Sequence, residues 1–219
     1  MKFDAEKSQI VESLQNAAAV AERRQTIPIL ANVRLKTLNG KLEVTATDLE
    51  IQIKTYSELI NIEEEGETTV SARKMSELCR SLPDGEKVNF SLTSGKLTVR
   101  ANNFHADFAT ISPDDFPEIE INEELNPLKI NSSILKRVLT KTSFSMASQD
   151  VRYYLNGMLL EVQGSKINGV ATDGHRLALS SSSSVDSNLE VRNILPRKAV
   201  LELSKLLSAD DKDINLMIG

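Results

Sequence analysis

The amino-acid sequence predicts an α+β fold made of two tandem copies of one module. Each copy carries helices on one side and antiparallel sheets on the other. Three observations carry this reading. Ala72-Arg73-Lys74, followed by Glu77-Leu78, recurs as Pro196-Arg197-Lys198, followed by Glu202-Leu203, at offsets of 124 and 125. Ala46-Thr47-Asp48 recurs as Ala171-Thr172-Asp173 at an offset of 125, and Asn32 as Asn156 at 124. Helical and strand periods of apolar residues also alternate in the same order in both copies.

Taken in order, each copy opens with a short strand, 1–3 and 128–130. A helix follows, over 6–24 with Ile10, Val11, Leu14 and Ala18 at helical spacing, and over 131–149 with Ile134, Leu135, Val138, Leu139 and Thr142. Alternating strands come next, with hairpin turns expected at Asn39-Gly40 and Asn168-Gly169. The second helices span 71–82 and 196–208; Ser71 suits an N-cap and Pro196 a first helical position. A late hairpin, 96–100 and 104–111, completes the first copy, and Ser180 to Ser184 reads as a polar hairpin loop. Pro113-Asp114-Asp115-Phe116-Pro117 marks a break, and the Glu-rich stretch to Glu124 reads as a solvated linker. The domains are therefore expected at 1–120 and 121–219. The second copy has no counterpart of 94–115, so the sequence is expected to be a fragment that stops inside its second repeat.

Composition narrows the function classes. The chain has 219 residues, 40% of them hydrophobic and 26% charged, which is a globular composition. A net charge of −5 argues against a simple basic DNA-binder, but is silent on where the charge lies. One cysteine and two histidines exclude an internal disulfide framework, a Cys-based zinc site and a His-rich metal centre, so neither metal nor cofactor is expected. The first residues carry no apolar signal segment, and the longest apolar runs are about five residues against the roughly 20 a membrane helix needs. A cytoplasmic location is expected.

The charge is unevenly spread. The four expected helices hold 12 Lys+Arg against 5 acids, a net +7, which leaves −12 on the rest of the chain. In 71–82, Met75, Leu78, Cys79 and Leu82 share a face from which Arg73 and Arg80 point away; in 196–208, Val200, Leu203 and Leu207 face inward, and Lys198 and Lys205 outward. Cys79 reads as core. Any amphipathic helix can wet its polar face with lysine, but four basic helices on an acidic chain read as a surface for a polyanion. Such a surface, directed at phosphates, binds nucleic acid without reading sequence.

At this point the sequence resembles a known family, the bacterial DNA polymerase III beta subunits, or beta sliding clamps. The resemblance rests on Thr26-Ile27-Pro28-Ile29-Leu30-Ala31-Asn32, Thr47-Asp48-Leu49-Glu50, Ala72-Arg73-Lys74, Asp115-Phe116-Pro117 and Pro196-Arg197-Lys198. Its most specific stretches are Phe144-Ser145-Met146-Ala147-Ser148-Gln149-Asp150-Val151-Arg152-Tyr153-Tyr154-Leu155-Asn156-Gly157 and Ala171-Thr172-Asp173-Gly174-His175-Arg176-Leu177-Ala178. It implies a non-enzymatic DNA sliding clamp: three such domains per subunit, and two subunits closed head to tail around duplex DNA. The resemblance further implies that Arg24, Arg73, Gln149, Tyr153 and Tyr154 contact DNA, with Arg152, Arg197 and Lys198 as weaker candidates. Leu155, Thr172, Gly174, His175, Arg176 and Leu177 would line one side of a groove for short peptides of polymerases, clamp loader and other partners. Lys74, Phe104 and Phe108 would lie at the subunit interface. The other side of the groove would come mainly from residues outside this chain, so peptide binding is expected to be weakened.

Two rival readings remain open on the residues alone. One is a protein-docking adaptor with merely solvated basic helices. The other is a hydrolase using Asp173 and His175, since Asp-His pairs orient catalytic bases. Against the hydrolase, no partnered nucleophile is visible, and His105 lies in the other copy. The first copy carries Leu49-Glu50-Ile51 where the second has Gly174-His175-Arg176, so these three residues are not a requirement of the shared scaffold. The tyrosines can equally start a core strand.

Overall fold

Apolar side chains at two periods, 3.6 and 2, sort this chain into helices laid on antiparallel sheets. The computed structural model describes residues 1–21, 27–119, 124–183, 187–207 and 210–219, and it divides into Met1–Ile119 and Glu120–Gly219. The first unit runs β1 (Lys2–Glu6), α1 (Lys7–Val20), β2 (Asn32–Leu38), β3 (Lys41–Thr47), β4 (Gln52–Glu58), β5 (Asn61–Glu64), β6 (Gly66–Ser71), α2 (Ala72–Ser81), β7 (Lys87–Thr93), β8 (Lys96–Ala101) and β9 (Phe104–Ala109). Its sheets have the orders β5-β1-β7-β8-β9 and β4-β3-β2-β6, antiparallel throughout. The second unit runs β10 (Asn126–Asn131), α3 (Ser132–Thr142), β11 (Gly157–Gln163), β12 (Lys166–Thr172), β13 (Leu177–Ser182), β14 (Glu190–Pro196), α4 (Arg197–Leu206) and β15 (Asp213–Ile218). Its sheet order β13-β12-β11-β14 repeats β4-β3-β2-β6 strand for strand, and β10 pairs with β15 as β1 pairs with β7. The α+β duplication predicted from the sequence is therefore present in the topology.

Each unit has its own core. In the first, α1 buries Ile10, Leu14 and Ala17 over β3, β4 and α2, while Phe3 and Phe90 stack at 4.6 Å between β1 and β7. Cys79 lies wholly inside this core, and burial pushes its thiol up to about 12. In the second, Leu135, Val138 and Leu139 of α3 pack over β12 and β13, and Val200 anchors α4. A lysine finishes the second helix of each unit. Lys7 Nζ donates to Leu82 O at the end of α2 (2.5 Å), and Lys136 Nζ to Leu207 O at the end of α4 (2.8 Å). A cation there offsets the helix dipole and takes a carbonyl that the helix leaves unpaired. Among the described residues no helix is long and apolar enough to cross a membrane.

Several local expectations need correction. The third helix stops at Thr142, not 149, because Thr142 Oγ1 turns back to Val138 O (2.8 Å) and the chain continues as a short 3-10 turn. The first ends at Val20, and 22–26 lie outside the described residues. Pro196 ends β14 and caps α4 rather than opening it. Ser180–Ser182 is strand, with Ser182 buried beside Arg137 (3.2 Å), while Ser184 lies outside the described residues. Asn39-Gly40 does turn β2 into β3, but Asn168-Gly169 is mid-strand in β12. Gly169 is there for clearance: a Cβ would meet Val138 Cγ1 at 2.6 Å, so its absence lets α3 ride close to the sheet.

The break read at 113–117 lies just ahead of the unit boundary at 119/120, but its chain, and Glu118 of the stretch read as a solvated linker, form a strap. From Ile111 to Ile119 it crosses the face of the β4-β3-β2-β6 sheet opposite the core. Ile111 bridges Thr69 on β6. Phe116 is buried with the Arg34 guanidinium 5.6 Å from its ring. Arg34, on β2, pairs with Glu118 and with Glu43 of β3, while Lys54 of β4 reaches Glu118 at 3.2 Å. Arg34 first, then Lys54, holds the Glu118 carboxyl below the usual range. Residues 120–123 lie outside the described residues.

The close approach at Gly169 has a measurable consequence. Gly169→Ala should destabilise the protein by about 1–3 kcal/mol in denaturant unfolding. Val138→Ala should cost less in that background than alone, because it removes the clashing methyl. Equal costs in both backgrounds would contradict the packing described.

Candidate functional site

The helices keep their positive bias at their observed lengths. α1 to α4 hold ten Lys+Arg against three acids, net +7, leaving 16 Lys+Arg against 28 Asp+Glu elsewhere, net −12. Burial of one stripe forces these cations outward. On α2, Ala72, Met75 and Cys79 are buried, so Arg73, Lys74 and Arg80 are exposed. Arg73 Nε bonds Glu77 at 2.8 Å one turn on, and holds that carboxyl below its usual range. On α3, Lys136, Arg137 and Lys141 share the outer stripe with Ser133 and Thr140 and line a shallow groove of about 300 Å³. On α4, Lys205 pairs with Glu202 at 2.7 Å, and Lys198 is half-buried. Arg197 differs: its Nη1 donates to Met146 O (3.0 Å) and Ala147 O (3.4 Å), so its guanidinium props a loop. Arg24 lies outside the described residues.

That loop, 146–156, carries several sequence-predicted residues on one short path. Gln149 sits exposed in a left-handed conformation, φ +61. Asn156 closes the loop from within: its Oδ1 accepts from Asp150 N (2.9 Å) and its Nδ2 donates to Asp150 O (2.8 Å). A 3-10 turn over Tyr153–Leu155 then separates neighbours by environment. Leu155 is buried, while Tyr153 is 83% and Tyr154 51% exposed, their rings edge to face at 5.9 Å. The core alternative for the tyrosines is thereby overturned. They stand largely in solvent, one ring edge-on to the other.

The Thr172–Leu177 turn is set by its own side chains. Thr172 Oγ1 accepts from Gly174 N and donates to Arg176 O, and Asp173 Oδ1 accepts from both His175 N and Arg176 N at 3.0 Å. Asp173 Oδ2 takes Arg176 Nε at 2.9 Å. The two backbone N–H groups, then Arg176, hold the Asp173 carboxyl below its usual range. The first unit builds the same backbone turn with Thr47 and Asp48. Asp173 is thus a turn-former engaged with His175 through backbone, not a carboxylate orienting an imidazole. Among the described residues no cluster of three or more His, Cys, Asp or Glu is placed to hold a metal ion.

Around this turn the second unit gathers apolar and cationic groups. Leu177 and Leu179 alternate on the outer side of the edge strand β13, both more than 60% exposed. Phe144 is exposed too, with the Arg176 guanidinium 5.7 Å from its ring. Arg152 forms a two-pronged pair with Asp150 (Nε–Oδ1 3.0 Å, Nη2–Oδ2 2.9 Å) and lies against Gly174, where a Cβ would stand 3.2 Å from Nη2. Arg152 first, through its side chain and then its backbone, holds the Asp150 carboxyl down at about 2. Leu155, Gly174, His175, Arg176 and Leu177 thus fall on or beside one 152–177 surface. Phe144, Asp150 and Leu179 belong to it as well and were missed. The i, i+2 spacing of Leu177 and Leu179 on a strand, and of Asp150 before Arg152, was the available signal. In the first unit, Phe104 and Phe108 share one side of the edge strand β9, Phe104 exposed and Phe108 packed partly on the core. Lys74 is exposed on α2.

Comparison with known proteins places this geometry. Residues 1–120 match the family description "DNA polymerase III beta subunit, N-terminal domain", and 129–219 match "DNA polymerase III beta subunit, central domain". The chain is 41% identical to the beta sliding clamp of Pseudomonas aeruginosa over 220 residues and 38% identical to that of Escherichia coli K12 over 219. Both alignments cover all of this chain and 60% of the relative, so the chain spans about three-fifths of those proteins' length. A crystal structure of the P. aeruginosa clamp bound to griselimycin superposes with a TM-score of 0.94 at 41% identity, and one of the Caulobacter crescentus clamp with 0.92 at 30%; each covers all of this chain and 60% of the other. The chain belongs to the DNA polymerase III beta subunit family.

Proposed function

We propose that this chain forms the first two domains of a non-enzymatic DNA sliding clamp in the bacterial cytoplasm. The relatives are longer than this chain, and in this reading a clamp subunit carries a third domain. It closes head to tail as a homodimer around duplex DNA and tethers the replicative polymerase. The observation that carries the reading is the charge partition: helices of net +7 on a remainder of −12. A cationic wall attracts the phosphate backbone whatever its sequence, and an acidic exterior repels it elsewhere. Cations held about a Debye length from phosphate, roughly 8 Å at physiological salt, attract weakly. Weak attraction permits sliding, while a closed ring supplies persistence.

Within this reading Arg24, Arg73, Gln149, Tyr153 and Tyr154 meet DNA, with Lys198 and Arg152 nearby. Arg pairs with phosphate, Gln donates to it, and an exposed tyrosine ring stacks on a base. Arg197 supports the 146–156 loop instead of reaching out. The 152–177 surface is one wall of a cleft for short peptides of polymerase, loader and other partners: apolar floor, cationic rim. Lys74, Phe104 and Phe108 lie at the subunit interface.

Two measurements test this. The full-length protein should be retained on circular duplex DNA and lost from linear ends; equal retention would favour the adaptor reading. For this chain, log K for duplex binding should fall linearly with log salt. Arg73→Ala should reduce the slope by about 1. Separately, Tyr153→Ala should weaken DNA binding yet change stability by less than about 0.5 kcal/mol, since the ring is exposed. A large loss of stability would return the tyrosine to the core.

A further inference from the structure

We propose that Asp150 is a positioning residue for the cleft. Its carboxylate aims the Arg152 guanidinium across Gly174, so that the cationic rim is set before any ligand arrives. The inference rests on the cleft reading of the 152–177 surface. Arg152 is a long side chain, half exposed, and would otherwise sample many rotamers. Asp150 removes that freedom with two parallel charge-assisted bonds to the guanidinium and a third, at 2.8 Å, from the Arg152 backbone N–H. Asp150 is itself fixed, because Asn156 bonds both its N–H and its carbonyl. Leu155, the buried floor residue, joins the same ring of bonds: Ala147 N donates to Leu155 O at 3.0 Å, and Leu155 N to Arg152 O at 2.9 Å. The guanidinium therefore has one resting place, and Gly174 makes it available. The equivalent left-handed position of the first unit holds Leu49, φ +76, which carries a side chain where Gly174, φ +88, carries none. Among the described residues this arginine-over-glycine arrangement belongs to the second unit. Arg176 shows the same construction, its Nε on Asp173 and its face toward Phe144.

The test compares Asp150→Asn, Asp150→Glu, Arg152→Ala and the Asp150→Asn/Arg152→Ala double variant in this chain, each first shown to melt as the parent does. Solvent exchange of the Arg152 Nε–H, read by NMR without ligand, should speed up about tenfold in Asp150→Asn and recover in part in Asp150→Glu. Griselimycin, titrated by chemical shift, should bind about threefold more weakly to Asp150→Asn. It should lose nothing further when Asp150→Asn is added to Arg152→Ala, the non-additivity expected of a residue that acts through another. Unchanged Nε–H exchange in Asp150→Asn, or losses that simply multiply in the double variant, would overturn the proposal. Where one wall alone binds griselimycin too weakly to titrate, the same variants are read in the full-length protein; absence of binding there is what fails the cleft reading, and the exchange measurement still decides whether Asp150 positions Arg152.

Discussion

Each unit depends on one apolar core enclosed by its helix pair and two antiparallel sheets. An α-helix that must bury one stripe can place charge only on the remainder. With Leu135, Val138 and Leu139 committed to β12 and β13, the cations Lys136, Arg137 and Lys141 have one side left, and they share it. The same holds for α2, where Met75 and Cys79 point in and Arg73, Lys74 and Arg80 point out. Packing thus does the electrostatic sorting. The core also sets its own tolerances, since the absent side chain at Gly169 is what lets α3 reach the sheet.

The binding features sit on segments that are irregular but internally bonded. The 146–156 loop is held by Asn156 and Arg197, and the 172–177 turn by Thr172 and Asp173. Because these backbones are satisfied from within, their outer side chains need not pack, and Tyr153, Phe144 and Leu177 remain in solvent. One turn design serves both units and differs only in what it displays. The first unit shows Leu49-Glu50-Ile51, the second Gly174-His175-Arg176. Duplication supplied the scaffold, and substitution on a fixed turn supplied a surface particular to the second unit.

Much of this was legible in the sequence, because periodicity and repetition are local signals. The four helices, their inward residues and the duplicated order follow from spacing alone, and the family from two specific stretches. What was not legible depended on contacts distant in the chain. Asn168-Gly169 looks like a hairpin turn until α3 is seen to need that glycine's lack of a side chain. The break at 113–117 and the Glu-rich stretch after it look solvated until Arg34, about eighty residues earlier, draws Phe116 and Glu118 onto the sheet. Arg197 looks like one more outward cation until its guanidinium is traced to Met146 and Ala147. Asp150 carried no mark of importance, because its effect is exerted through Arg152.

The claim beneath the whole account is that duplex DNA meets the cationic sides of the helices and not the sheets. Paramagnetic relaxation enhancement reads this directly, using the isotope-labelled chain and a short duplex bearing a spin label at its centre. The account predicts signal loss at Arg73, Lys136, Arg137, Lys141 and Tyr153, with strands β8 and β9 unaffected. Broadening spread evenly over both sides, or concentrated on the sheets, would contradict it.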